Sequence, residues 1–66
     1  MQIVVNGQPR AASERLALPN LIEELKLGER RVAVELNGAI VPRSAWPQTL
    51  LADGDRLEIV QAIGGG

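Results

Sequence analysis

The residues best placed to do chemistry are the last ones: the chain ends Gln61, Ala62, Ile63, Gly64, Gly65, Gly66. Three consecutive glycines pack nothing, but they leave a carboxylate on a strip of backbone with no Cβ to clash with a narrow channel. Fully extended, residues 62–66 reach roughly 16 to 18 Å, far enough to thread Gly66 into another protein's active site. A carboxylate is a poor electrophile at neutral pH. Joined to AMP as a mixed anhydride it has a good leaving group, which a sulfur or nitrogen nucleophile can displace. On that reading the protein is a substrate. The bland alternative is an inert glycine-rich end, and the tail alone does not separate the two.

No other group competes for a catalytic role. The 66 residues hold no cysteine, histidine or tyrosine, so thiolate nucleophiles, the usual general base and the commonest zinc ligands are missing. Glu23 and Glu24 are adjacent on an expected helix and point different ways, which rules out an acid–base pair across one substrate. Asp53-Gly54-Asp55 lacks the further oxygen ligands of a calcium loop and reads as a turn. Seven Lys and Arg against eight Asp and Glu leave a net charge of −1. No basic stripe forms, and nucleic acid is not an expected partner. The opening MQIVVNGQPR has no basic run and its apolar stretch stops at Val5, so neither a signal peptide nor a membrane span is expected there, and the cytoplasm is the expected compartment.

Elements must exist to hold the tail out. A chain this short buries only roughly 60% of its unfolded surface, and with Trp46 its only aromatic residue the core must be aliphatic. Met1, Ile3 and Val5 alternate onto one face of a first strand, and Asn6-Gly7 is a strong hairpin signal. Pro9 cannot donate to a ladder, which puts the second strand at a sheet edge. Leu18, Leu21, Ile22 and Leu25 recur at helical spacing, with Pro19 in the first turn and Gly28 expected as the C-cap. Val32, Val34 and Leu36 alternate, Asn37-Gly38 turns the chain, and Ala39 to Val41 form a short partner strand. PRSAWPQTLL, with two prolines, is expected to be a loop with at most one turn of helix. Trp46 is expected to plug the core, and Arg43 to be solvated. A turn at Asp53-Gly54-Asp55 opens a last strand with Leu57 and Ile59 inward; Arg56, Glu58, Val60 and Ala62 line its outward side.

The order β-β-α-β-β-β describes an α+β domain, and if its first and last strands are parallel neighbours the arrangement is a β-grasp (ubiquitin-like) fold, a mixed sheet of about four to five strands packed on one helix. The domain occupies residues 1–61, and residues 62–66 are a flexible C-terminal tail of the same single domain. The outward strip of the last strand is either an ordinary half-exposed sheet face or a docking surface.

MQIVVNGQ, LNGAIVPRSAW, LLADGDRLEIVQAI and the terminal GG, in this order, resemble the ThiS family of sulfur carrier proteins of thiamin biosynthesis over essentially the whole chain. The resemblance implies that an E1-like, ThiF-type enzyme adenylates the Gly66 carboxylate with ATP, the carrier itself binding no cofactor. The adenylate becomes a thiocarboxylate, its sulfur drawn ultimately from a cysteine desulfurase persulfide, and the loaded carrier donates sulfur to ThiG, the thiazole synthase. The family's functional residues carry over to Gly65 and Gly66. Gly64, Ile63, Ala62, Val60 and Glu58 are expected to form the partner-binding tail and adjacent strand, on a carrier that is a monomer when free. The same activation with another acceptor describes a MoaD-like molybdopterin carrier or a ubiquitin-like modifier, and a β-grasp binding module with an inert tail is a third class.

Overall fold

Two Asn-Gly pairs fix the strand connections. In a computed structural model, which describes residues 1–28 and 30–61, Asn6 and Gly7 take φ of 51° and 80°, and Asn37 and Gly38 take 52° and 88°. Successive positive φ values are the signature of a two-residue turn whose twist matches its flanking strands, and Asn and Gly tolerate them best. The first pair reverses β1 (Gln2–Val5) into β2 (Gln8–Ala11), with Val5 opposite Gln8. The second reverses β3 (Val32–Leu36) into β4 (Ala39–Ile40), with Leu36 opposite Ala39.

The last strand, β5 (Arg56–Gln61), pairs antiparallel with β3 and parallel with β1, giving the order β2-β1-β5-β3-β4. The C-terminal strand is thus central, and β2, which carries Pro9, is an edge strand as its proline requires. Parallel pairing of β1 and β5 makes everything between them one long crossover, and the helix within it covers one face of the sheet.

That helix, α1 (Leu18–Glu24), buries Leu18, Leu21 and Ile22 against Ile3, Val5, Val34, Leu57 and Ile59 of the sheet. Leu16, Trp46 and Leu51 close the core from the connections. The expected C-cap at Gly28 is corrected: the C-cap is Leu25, three residues earlier. Lys26 takes φ of 60°, its N–H donates to the Glu23 carbonyl, and the Leu27 N–H donates to the Ile22 carbonyl. This is a Schellman cap with lysine where glycine is usual. Leu27, half-buried against the core, supplies the apolar contact that lets the chain stop there despite the strained residue.

The proline-bearing connection is more ordered than expected. Arg43–Gln48 form a 3₁₀ helix, two turns where at most one was anticipated, and Pro47 sits inside it. Its 5% exposed Trp46 supplies the apolar burial, and the indole Nε1–H donates to the Val41 carbonyl at 3.0 Å. Arg43 is exposed but not merely solvated, since its guanidinium lies 4.8 Å from the centre of the Trp46 ring. None of the helices described is long and apolar enough to cross a membrane.

Candidate functional site

The candidate site is built on β5 and its continuation. Leu57 and Ile59 point into the core, which forces Arg56, Glu58 and Val60 onto the open face of the sheet. Residues 62–66, which include Ala62, Ile63 and the three glycines singled out from the sequence, lie outside the described residues.

Register decides what surrounds Glu58 and Val60. Glu58 stands directly opposite Glu35 of β3, Val60 opposite Ala33, and Glu35 in turn opposite Ile40 of β4. Ile40 and Val60 are 65% and 58% exposed. The open face therefore presents two large aliphatic groups around a pair of facing carboxylates. Like charges directly opposite across a ladder destabilise a sheet, and among the described residues neither carboxylate has an ion-pair partner. Sequence reasoning found Glu58 and Val60 but missed Glu35 and Ile40. Alternation in β3 puts Glu35 on the open face; that it meets Glu58 depends on a register between residues far apart in the chain.

The two Asp residues before β5 are occupied locally. Asp53 Oδ1 accepts from the Gln2 N–H at 2.7 Å, and Asp55 accepts from the Ala52 N–H and from Asn37 Nδ2. These bonds hold the turn that launches β5, in agreement with its reading as a turn. Among the described residues no three His, Cys, Asp or Glu side chains group as metal ligands.

The ThiS family model matches residues 3–66. The chain is 47% identical over all its 66 residues to a thiazole synthase of Paramagnetospirillum magneticum, of which it spans only 20% of the length. It is 35% identical to the sulfur carrier protein ThiS of Escherichia coli, with both chains covered completely. The crystal structure of a thiamine biosynthesis protein (ThiS) from Geobacter metallireducens superposes with a TM-score of 0.87 at 38% identity, again over the whole of both chains. A five-stranded mixed sheet on one helix, closed by a central C-terminal strand, is thus shared with that protein along with the sequence. On this evidence the chain belongs to the ThiS family.

Proposed function

We propose that the protein is a sulfur carrier of thiamin biosynthesis, with the Gly66 carboxylate as its working group. The observation that carries this reading is family membership over residues 3–66, a match that includes the terminal glycines. A carboxylate oxygen of Gly66 attacks the α-phosphorus of ATP in an E1-like, ThiF-type enzyme, forming the acyl adenylate and releasing pyrophosphate. A persulfide sulfur drawn from a cysteine desulfurase then attacks the carbonyl carbon and expels AMP, leaving an acyl disulfide; a thiol, acting as the two-electron reductant, attacks the outer sulfur of that disulfide, forms a new disulfide with it and releases the Gly66 thiocarboxylate. The carrier supplies the acyl group and its presentation; the partners supply the catalysis.

Thiazole synthase, ThiG, is the acceptor this reading favours. Thiazole synthases of Paramagnetospirillum magneticum and Magnetococcus marinus each contain a segment similar to this chain that makes up 20% of their length. Fusion of carrier to acceptor in one chain is what a shared reaction favours, because tethering raises their effective concentration. The open face of β5, with Glu58, Val60, Glu35 and Ile40, is the docking surface: aliphatic anchors for affinity, and facing carboxylates whose repulsion an arginine or lysine of the partner relieves.

Intact mass after incubation with ATP, a ThiF-type enzyme and a sulfur donor tests the proposal. The expected gain equals replacement of one oxygen by sulfur, localised to Gly66 by fragmentation, and it is lost when Gly65 and Gly66 are deleted from a chain that still folds. Loading of the truncated protein, or no loading by an enzyme competent on another carrier, would sink the reading. Growth of a thiamin-requiring strain then identifies the acceptor, since a molybdopterin carrier or a protein modifier does not restore it.

A further inference from the structure

β1 ends at Val5, while its parallel partner β5 runs on past the last paired residue, Leu57. Ladder pairing between the two strands stops at Val5 opposite Leu57, while β5 continues to Gln61. Odd-numbered residues from Asp55, just before β5, onward turn their backbone groups toward β1: the Val4 N–H donates to the Asp55 carbonyl and the Asn6 N–H to the Leu57 carbonyl. The next such residue is Ile59, and among the described residues no strand meets it on this side.

The Asn6 side chain takes the place of that strand. Its Nδ2 donates to the Ile59 carbonyl at 3.0 Å, and its Oδ1 accepts from the Ile59 N–H at 2.7 Å. A carboxamide carries one donor and one acceptor in the same plane, as a peptide group does, so it can exchange both bonds with a single residue. Aspartate offers acceptors alone, and serine has one oxygen. Asn6 makes this contact from a backbone with φ of 51°, a conformation asparagine adopts more readily than most residues.

A second asparagine makes a similar contact at the other end of β5. Asn37 Oδ1 accepts from the Arg56 N–H and its Nδ2 donates to Asp55 Oδ1. That clamp holds the beginning of the strand from the β3 side. The Asn6 clamp holds Ile59 from the β1 side, two residues before the end of β5.

We propose that Asn6 is a positioning residue for the carrier reaction: by closing the open side of β5 at Ile59 it fixes the direction in which the chain leaves the domain toward Gly66. The inference rests on the carrier reading, and it adds a residue distant in sequence from the tail and outside the docking face. A partner that has engaged the open face receives the terminal carboxylate only if the exit direction matches its own active site, and small misplacements of a reacting group cost large factors in rate.

The test compares Asn6→Gly, Asn6→Asp and Asn37→Gly. Glycine keeps the backbone conformation and the turn while removing the clamp; aspartate keeps the acceptor for Ile59 N–H but sets a carboxylate against the Ile59 carbonyl. Adenylation by a ThiF-type enzyme is followed by pyrophosphate release well below every melting temperature. Both Asn6 variants are expected to lose about tenfold in kcat with KM within about twofold of wild type, because docking is untouched and presentation is not. Asn37→Gly is expected to lose stability and keep kcat. Equal loss of kcat at both positions, or unchanged kcat in Asn6→Gly, overturns the proposal.

A second readout needs no enzyme. In Asn6→Gly the Ile59 amide should exchange with solvent about tenfold faster relative to Val60, whose N–H faces β3, and residual dipolar couplings of Val60 and Gln61 should change. If the wild-type chain is not adenylated at all, the carrier reading fails, and these couplings still decide the structural half. Unchanged couplings refute positioning by Asn6; altered ones leave it standing without its reaction.

Discussion

Trp46 offers the sharpest test of how so small a core is closed. It is the chain's one aromatic residue, is 5% exposed, and lies in a 3₁₀ segment that sequence reasoning expected to be mostly loop. A domain of this length has a total stability of roughly 3–10 kcal/mol, at about 0.05–0.15 kcal/mol per residue. Trp46→Ala removes the indole from among buried aliphatic side chains, a change that costs about 3–5 kcal/mol, and therefore removes much or all of that total. Trp46→Phe retains most of the buried ring and loses the Nε1–H donor to the Val41 carbonyl. One hydrogen bond and a small mismatch in volume cost about 1–2 kcal/mol.

At about 4–8 °C per kcal/mol for a domain this small, the phenylalanine variant should melt about 4–16 °C below wild type, and the alanine variant should be largely unfolded at physiological temperature. Far-ultraviolet circular dichroism is the appropriate probe, because the substitutions delete the only tryptophan fluorophore; in wild type its fluorescence should melt together with the dichroism. A loss below about 1.5 kcal/mol in Trp46→Ala would refute the argument, showing that the 3₁₀ helix lies on the core without closing it. A phenylalanine variant as unstable as the alanine one would shift the weight from the ring to the hydrogen bond.

Two further substitutions test local strain that the fold tolerates. Glu58→Gln removes one of two facing charges and should stabilise the domain by about 0.2–1 kcal/mol in denaturant titrations at low salt, the gain shrinking at high salt, while raising KM for the activating enzyme if an arginine or lysine meets this face. Lys26→Gly places glycine at the positive-φ position of the helix cap; relief of strain, partly offset by a more flexible unfolded chain, should raise stability by about 0.5–1 kcal/mol with an unchanged denaturant slope.

The parts of the fold legible in the sequence are those encoded within a few residues. Alternation put Ile3, Val5, Val34, Leu57 and Ile59 inside, helical spacing did the same for Leu18, Leu21 and Ile22, and the two Asn-Gly pairs located their hairpins. Pro9 indicated an edge, where β2 lies. Where competing local signals met tertiary packing, packing won. Gly28 is the better cap by propensity, yet the helix stops at Glu24 because Leu27 packs on the core; prolines argued for a loop at residues 42–47, yet Trp46 burial sustains a 3₁₀ helix. Of the candidate site, the outward side of β5 could be read directly. The facing of Glu58 and Glu35, and the bonds from Asn6 to Ile59, join residues 23 and 53 positions apart and depend on strand register, which no local pattern specifies.

The placement of β5 connects folding to presentation. Among the described residues it is the last element and the only strand with neighbours from both hairpins, β1 on one side and β3 on the other. Its bonds to β1 and Asn6 span most of the sequence, so they carry the largest loop-closure cost and reward the chain only after the intervening helix and strands can pack. A partly folded chain can form either hairpin alone, but it cannot align Ile59 with Asn6 and Val34 together. The same contacts that complete the core therefore orient the strand leading to residues 62–66. A partner that needs both the open sheet face and a correctly aimed exit selects the finished fold over its precursors, because the two features come into being in the same step.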